Sequence, residues 1–180
     1  MRRIKKPVFN SGDTNFYIIY LKEDIMDIRN TKELNEKAKE LKEAGDTQGL
    51  QELAKKYGIE KEDLEDYLDG AETLATPLIL ALAAIEAAKK ELKTKGVIAD
   101  WLGVLASMAA ESEELADAIT FNGKKIKNLL GKILKQAFET KIKVHDDIAK
   151  AAGIRTPLYM GIPGNGDIKK IIGEFYGVTV

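Results

Sequence analysis

Val97-Ile-Ala-Asp-Trp-Leu-Gly-Val-Leu-Ala-Ser-Met-Ala-Ala110 is apolar nearly all round when wound as a helix, interrupted only by Asp100, Gly103 and Ser107. A helix lying on a surface carries a polar stripe, so this one belongs at the centre of a core, with Trp101 buried. Its neighbours supply the shell. Thr76 is a good N-cap, and Pro77 fits the first helical position, where its missing N–H costs nothing. Leu78, Leu82, Ile85 and Leu92 then fall on one face, widened by Ile79 and Leu80, and Gly96 ends the run. Ser112 caps another turn or two, with Leu115 and Ile119 inward. After the Asn122-Gly123 turn comes the clearest helix of the chain. Ile126, Leu129, Leu130, Ile133, Leu134, Ala137 and Phe138 recur there at the i, i+3, i+4 spacing of one helical face.

The flanks read the same way. Asp13 or Thr14 caps a helix carrying Ile18, Leu21, Ile25 and Ile28. Phe16-Tyr-Ile-Ile-Tyr20 alone would suit a strand, but the longer register favours a helix. Asn30 with Glu33 forms a capping-box pattern ahead of Leu34, Ala38 and Leu41, and Gly45 stops that helix. A third runs from Asp46 to Tyr57, ended by Gly58, and a short acidic one holds Leu64, Tyr67 and Leu68 up to Gly70. Towards the end, Asp146 or Asp147 caps a short helix that Gly153 stops. A loop rich in glycine and proline covers 157–166, and a last helix runs from Asp167 to Tyr176. The expected fold is all-α, a compact multi-helix domain of about eight to nine helices. Residues 1–13 form a flexible N-terminal segment and 14–180 a single helical domain, with points of sub-division near 70–76 and 121–124.

Composition narrows the chemistry. The 180 residues include no cysteine, which excludes disulfides, thiolate metal sites and thiol catalysis. His145 is the one histidine, so a site needing two is excluded. Beside Asp146 and Asp147 it reads as a helix-start residue rather than a metal ligand or general base, because adjacent side chains point to different faces. Ser11, Ser107 and Ser112 have no base nearby in sequence. No cofactor, metal site or catalytic residue is expected. The apolar stretch from Pro77 to Ile85 is far below the roughly 20 residues of a membrane helix, and the basic start leads into no signal-length apolar core, so a cytoplasmic location without membrane contact is expected.

The net charge of −1 hides a division. Residues 46–120 hold sixteen acidic and seven basic residues, whereas 121–180 hold eleven basic and five acidic. The densest acidic run is Glu60, Glu62, Asp63, Glu65, Asp66, Asp69 and Glu72, relieved by Lys61. Carboxylates at helical spacing can imitate a line of phosphates and be steered into a basic channel; the plainer reading is a solvated helix face. The run lacks the alternation and central glycine of a calcium loop. The basic counterpart, Lys124, Lys125, Lys127, Lys132 and Lys135 together with Arg155, is the candidate nucleic-acid surface. The lysines of the helix lie on no single stripe, with no interleaved aromatics and no arginine among them for base readout.

Two motifs are partial. Gly161-Ile-Pro-Gly-Asn-Gly166 has P-loop glycine spacing, but Asp167 and Ile168 stand where lysine and a magnesium-binding hydroxyl belong, and Asp167 more naturally caps the next helix. Asp147-Ile-Ala-Lys-Ala-Ala-Gly-Ile154 resembles the first helix and turn of the helix-turn-helix of the lactose- and tetracycline-repressor families, echoed by Leu158-Tyr159. A recognition helix from Thr156-Pro157 would be cut by Gly161 and Pro163 after about one turn.

Three stretches carry a broader resemblance: Gly45-Asp-Thr-Gln-Gly-Leu-Gln-Glu-Leu-Ala-Lys-Lys-Tyr-Gly58 through Gly70, Leu130-Gly-Lys-Ile-Leu-Lys-Gln-Ala-Phe-Glu139 through Ala152, and Pro157-Leu-Tyr-Met-Gly-Ile-Pro163 through Tyr176. Together they resemble a family of small helical proteins carried on mobile elements and phages of anaerobic gut bacteria, which includes inhibitors of the type II CRISPR effector nuclease. The resemblance implies a non-enzymatic anti-CRISPR that binds the effector with its guide RNA and blocks DNA targeting. It assigns no residue a role. On the residues, the acidic run Glu60, Glu62, Asp63, Glu65, Asp66 and Asp69 is then the partner-binding face. Two other readings stand beside it: a DNA-binding protein using the basic C-terminal segment, and a structural or homo-oligomerisation module.

Overall fold

The computed structural model describes residues 28–179. Within them the chain forms α1 (Thr31–Glu43), α2 (Thr47–Tyr57), α3 (Lys61–Asp69), α4 (Pro77–Leu92), α5 (Val97–Glu111), α6 (Glu113–Phe121) and α7 (Ile126–Glu139). Strand β1 (Ile142–Lys143), α8 (Asp146–Ala151), strand β2 (Tyr159–Met160) and α9 (Asn165–Tyr176) follow. The described residues are thus mostly helical, with nine helices and one two-stranded antiparallel ribbon, in which Ile142 pairs with Met160 and Lys143 with Tyr159. The segment 1–13 and the helix expected after Asp13 and Thr14 lie outside the described residues, save for Ile28.

The capping chemistry acts largely where the sequence places it. Asn30 accepts from the Glu33 N–H (2.9 Å), Asp46 from Gly49 (2.8 Å), Thr76 from Ile79 (3.3 Å) and Ser112 from Leu115 (3.2 Å). The Glu33 carboxylate, however, reaches back to the Arg29 N–H (2.8 Å), one residue earlier than a standard capping box. Three boundaries differ from expectation. Lys93, in a left-handed conformation (φ 49°), terminates α4 three residues before Gly96. His145, not either aspartate, caps α8, its ring accepting from the Asp147 N–H (3.3 Å). Gly164 precedes α9, so Asp167 lies in the first turn and favours the positive helix end without capping it.

Two apolar clusters share α4. Leu34, Leu41, Leu50, Leu53, Leu64 and Tyr67 from α1–α3 form the first, together with Leu74 and with Leu80 from α4. The next residue, Ala81, and Ile85 beyond it enter the second, where α5 contributes Trp101, Leu102, Leu105 and Met108. Helices α4, α6 and α9 pack around α5, and α7 packs on α4 and α9. Trp101 is 4% exposed, as expected, but α5 is not covered all round: Asp100, Gly103, Ser107 and Ala110 line an exposed edge. Serving two clusters rotates α4: Leu82 and Leu92, expected inward, are exposed, as are Leu68 on α3 and Leu134 and Phe138 on α7.

Polar side chains tie the clusters and loops. The Asn35 carboxamide accepts from the Leu74 (2.9 Å) and Ala75 (3.2 Å) N–H groups and donates to the Ala75 carbonyl (2.9 Å), replacing the ladder a strand would have supplied. Asp117 on α6 accepts from the Thr31 N–H (3.2 Å) and hydroxyl, fastening the start of α1 across the two clusters.

Tyr176 closes the second cluster. Its hydroxyl is buried with no hydrogen-bond partner among the described residues, and burial pushes its pKa up to about 12. An ordinary tyrosine ionises near 10. The folded state therefore resists ionisation between these values while the unfolded chain does not, so stability present below about pH 10 is lost as pH rises towards 12. Burial raises Tyr57 and Tyr67 in the same direction. Tyr176→Phe removes an unpaired hydroxyl whose burial costs about 1–3 kcal/mol. The expected result is a variant at least as stable as the parent at pH 7 and with a shallower alkaline loss, read by denaturant melts between pH 7 and 11. A variant destabilised by more than about 1 kcal/mol, on the scale of a net hydrogen bond, would reveal a partner for this hydroxyl.

Candidate interaction surfaces

The acidic run becomes a solvent-facing helix edge. Leu64 and Tyr67 turn α3 inward, and Glu62, Glu65, Asp66 and Asp69 then stand at i, i+3, i+4 and i+7 on the opposite side, all exposed. Such neighbours lie about 5–6 Å apart, over some 10 Å of helix. Glu60 sits at the N-cap position without a side-chain cap bond, and Asp63 is half-buried on the flank. An ion pair, Lys61 to Glu65 at 2.7 Å, relieves this edge, and the hydrogen bond to Glu65 raises the Lys61 pKa. Asp66 and Asp69 occupy the last turn, which has no basic residue of its own, although the Lys42 ammonium of α1 donates to the Tyr67 carbonyl there. A carboxylate at the negative end of a helix costs about 0.3–1 kcal/mol. Within their own helix these two charges are unfavourably placed, and Lys42 offsets them from outside it.

The basic candidates are dispersed. Lys124 and Lys125 precede α7, and the Lys124 ammonium donates to the Phe175 carbonyl and lies 5.5 Å from the Phe175 ring centre. Lys127, Lys132 and Lys135 spread over the outer face of α7, with Lys132 at 4.0 Å from Glu174 and Lys135 at 3.7 Å from Glu139. Arg155 is exposed between α8 and β2, off that helix. A shallow depression floored by Ala84, Ala87 and Ala88 lies beside Lys124, Lys125 and Lys127, with Glu91 facing them. The segment 154–164 forms β2 and loop, so the helix-turn-helix-like stretch has no second helix to place in a groove.

The remaining motifs have structural uses. Gly161 lies against the end of α7, where any Cβ would meet the Ala137 carbonyl, so this glycine serves a close backbone approach. His145 is exposed and 3.8 Å from the Asp147 carboxylate, its Nδ1 turned to the backbone N–H it caps. No three His, Cys, Asp or Glu side chains gather as a metal site among the described residues. No helix among them is long and apolar enough to cross a membrane.

One feature was not expected from the sequence. Twelve large apolar side chains are exposed among the described residues, and the eight most exposed all fall in 134–162. Phe138 (68%), Ile142 (72%), Ile148 (64%) and Ile162 (61%) lead them. The signal available in sequence was the basic run itself, since apolar residues between lysines at a chain reversal form an amphipathic surface rather than a core. No family model matches the chain, and neither the curated proteins nor the solved structures give a match.

Proposed function

We propose that the chain is a non-enzymatic binding protein that inhibits a protein–nucleic-acid partner by presenting the α3 edge to its basic surface. The observation carrying this is the exposed stripe Glu62, Glu65, Asp66 and Asp69, whose last two members stand in a last turn that has no basic residue of its own. Carboxylates at this helical spacing can imitate a line of phosphates and be steered to a basic surface. The resemblance to small mobile-element proteins supplies the particular partner: the type II CRISPR effector nuclease with its guide RNA, whose DNA channel the carboxylates would occupy in place of phosphates.

Co-purification of the full chain with the guide-loaded effector, together with a DNA-cleavage assay, tests this. The expected result is a complex at low salt, inhibition of cleavage, and an affinity that falls as salt rises, because the attraction is screened. Asp66→Lys with Asp69→Lys should weaken binding by about 100-fold, two desolvated charge contacts at roughly 1.4 kcal/mol per factor of ten. The same exchange should leave the melting temperature unchanged or higher, since it complements the helix dipole. No complex at low salt, with cleavage unimpaired, overturns the effector assignment. Unchanged binding by the double variant overturns the role of α3.

A further inference from the structure

We propose a second docking surface at the opposite charge pole: the end of α7 with the β1–β2 ribbon, which takes an acidic, apolar polypeptide segment of a partner protein as an added strand. Three observations meet there. The first is apolar exposure without cover. Leu134 and Phe138 stand one turn apart on α7; Ile142, directly opposite Met160, shares its ribbon face. Gly161 fixes β2 against the Ala137 carbonyl and the Lys141 backbone, so Ile162 is held at the same junction. Exposed apolar residues occur singly on most surfaces, whereas a contiguous group marks an interaction site.

The second observation is charge. Residues 124–162 carry nine basic and three acidic residues, and Lys141 lies 3.8 Å over the Phe138 ring. Lys143 faces Tyr159 across the ribbon. An occupant that is itself basic, including this same surface of a second copy, is repelled, and an acidic one is steered in. The third is main chain. The sheet has only two strands, so each has one edge with no ladder partner among the described residues. Such a pair is marginal alone, and a third strand completes it.

These features together select a polypeptide. Nucleic acid would use stacking platforms, but only Phe138 and Tyr159 are aromatic in this group and the rest are aliphatic. An anionic lipid surface satisfies the charge and the apolar residues but offers nothing to an open strand edge.

The test uses the full chain and fluorescence anisotropy with four labelled or competing probes at low salt. They are an eight-residue peptide alternating glutamate with isoleucine or valine, the same peptide N-methylated on alternate amides, single-stranded oligothymidine, and vesicles of phosphatidylglycerol with phosphatidylcholine. The expected result is binding of the unmodified peptide at least tenfold tighter than its N-methylated form. Ile142→Glu with Met160→Glu should weaken it at least tenfold, while Asp66→Lys with Asp69→Lys, on the other pole, should not. Because Ile142 and Met160 are exposed, the ribbon variant should retain the parent's helical circular dichroism. Equal binding of the methylated peptide overturns strand addition. Preferential binding of oligothymidine or of vesicles overturns the polypeptide, and insensitivity to the ribbon variant overturns the site. Since the acidic α3 edge takes no part, either proposal can fail while the other stands.

Discussion

Trp101→Ala is expected to lower stability by about 3–5 kcal/mol, the cost of truncating a large aromatic inside a packed core. Trp101 is 4% exposed and sits beside Leu102 and Leu105, which are fully covered, so no solvent-facing route exists for neighbours to close the gap cheaply. A domain of this size holds only about 5–15 kcal/mol in total. The melting temperature should therefore drop by roughly 6–20 °C, on the scale of 2–4 °C per kcal/mol for 150–250 residues. Thermal melts followed by circular dichroism read this directly. The parent's single-tryptophan fluorescence gives an independent check: it should be blue-shifted and resistant to quencher in the dilute protein. A red, quenchable signal that turns blue only as concentration rises would show instead that α5 is an association surface. Trp101→Phe should recover most of the loss, because the cavity is then small.

That prediction was legible in the sequence because Trp101 recurs with Leu105 and Met108 at helical spacing, while Asp100, Gly103 and Ser107 gather on the exposed side. The same logic placed α1 through α7 to within a few residues: N-caps at Asn30, Asp46, Thr76 and Ser112 are side chains that satisfy specific orphan N–H groups, and such chemistry is local. What failed was the choice of inward residue wherever a helix serves more than one neighbour. Leu78, Leu82, Ile85 and Leu92 make one stripe on paper, but α4 bridges two clusters: Ile85 is buried with Leu80 and Ala81, while Leu82 and Leu92 are exposed. Leu134 and Phe138 each follow a buried residue of α7, Ile133 and Ala137, and turn outward beside that stripe. The ribbon was invisible for a different reason. Its four residues pair across a separation of sixteen to eighteen positions, and no alternation long enough to signal a strand exists in Ile142–Lys143 or Tyr159–Met160. Of the two candidate surfaces, the acidic edge could be read from helical spacing alone, because its geometry is one helix deep. The apolar, basic end could not, because a tertiary packing event makes it.

The packing event has a single pivot, and Gly161→Ala is expected to break it. A Cβ at this position would lie 2.1 Å from the Ala137 carbonyl oxygen, 2.9 Å from the Lys141 Cα and 3.0 Å from the Lys141 nitrogen. All three are backbone atoms at the end of a helix and the start of β1, so none can swing aside as a flexible side chain would. Overpacking of a closed contact costs about 1–3 kcal/mol and more where the backbone itself must move. Here the loss should be local. Within α8 only Ala149 is buried, so the unit from β1 to β2 adds little to either cluster and can detach while α4, α5 and α6 hold. Hydrogen exchange should then show amides of 142–160 losing protection by tenfold or more, with those of Leu102, Leu105 and Met108 unchanged. Gly131→Ala provides the opposite sign: it lies inside α7, nothing among the described residues outside the helix's own backbone comes within 4 Å of its added Cβ, and replacing a mid-helix glycine should stabilise by about 1 kcal/mol. Two glycine-to-alanine changes thirty residues apart, one freeing the ribbon and one stiffening the helix that carries it, separate the contact at Gly161 from any general effect of glycine. Unaltered exchange over 142–160 in Gly161→Ala would mean that the ribbon is held by something other than this contact, and the end of α7 would lose its claim to be a fixed surface.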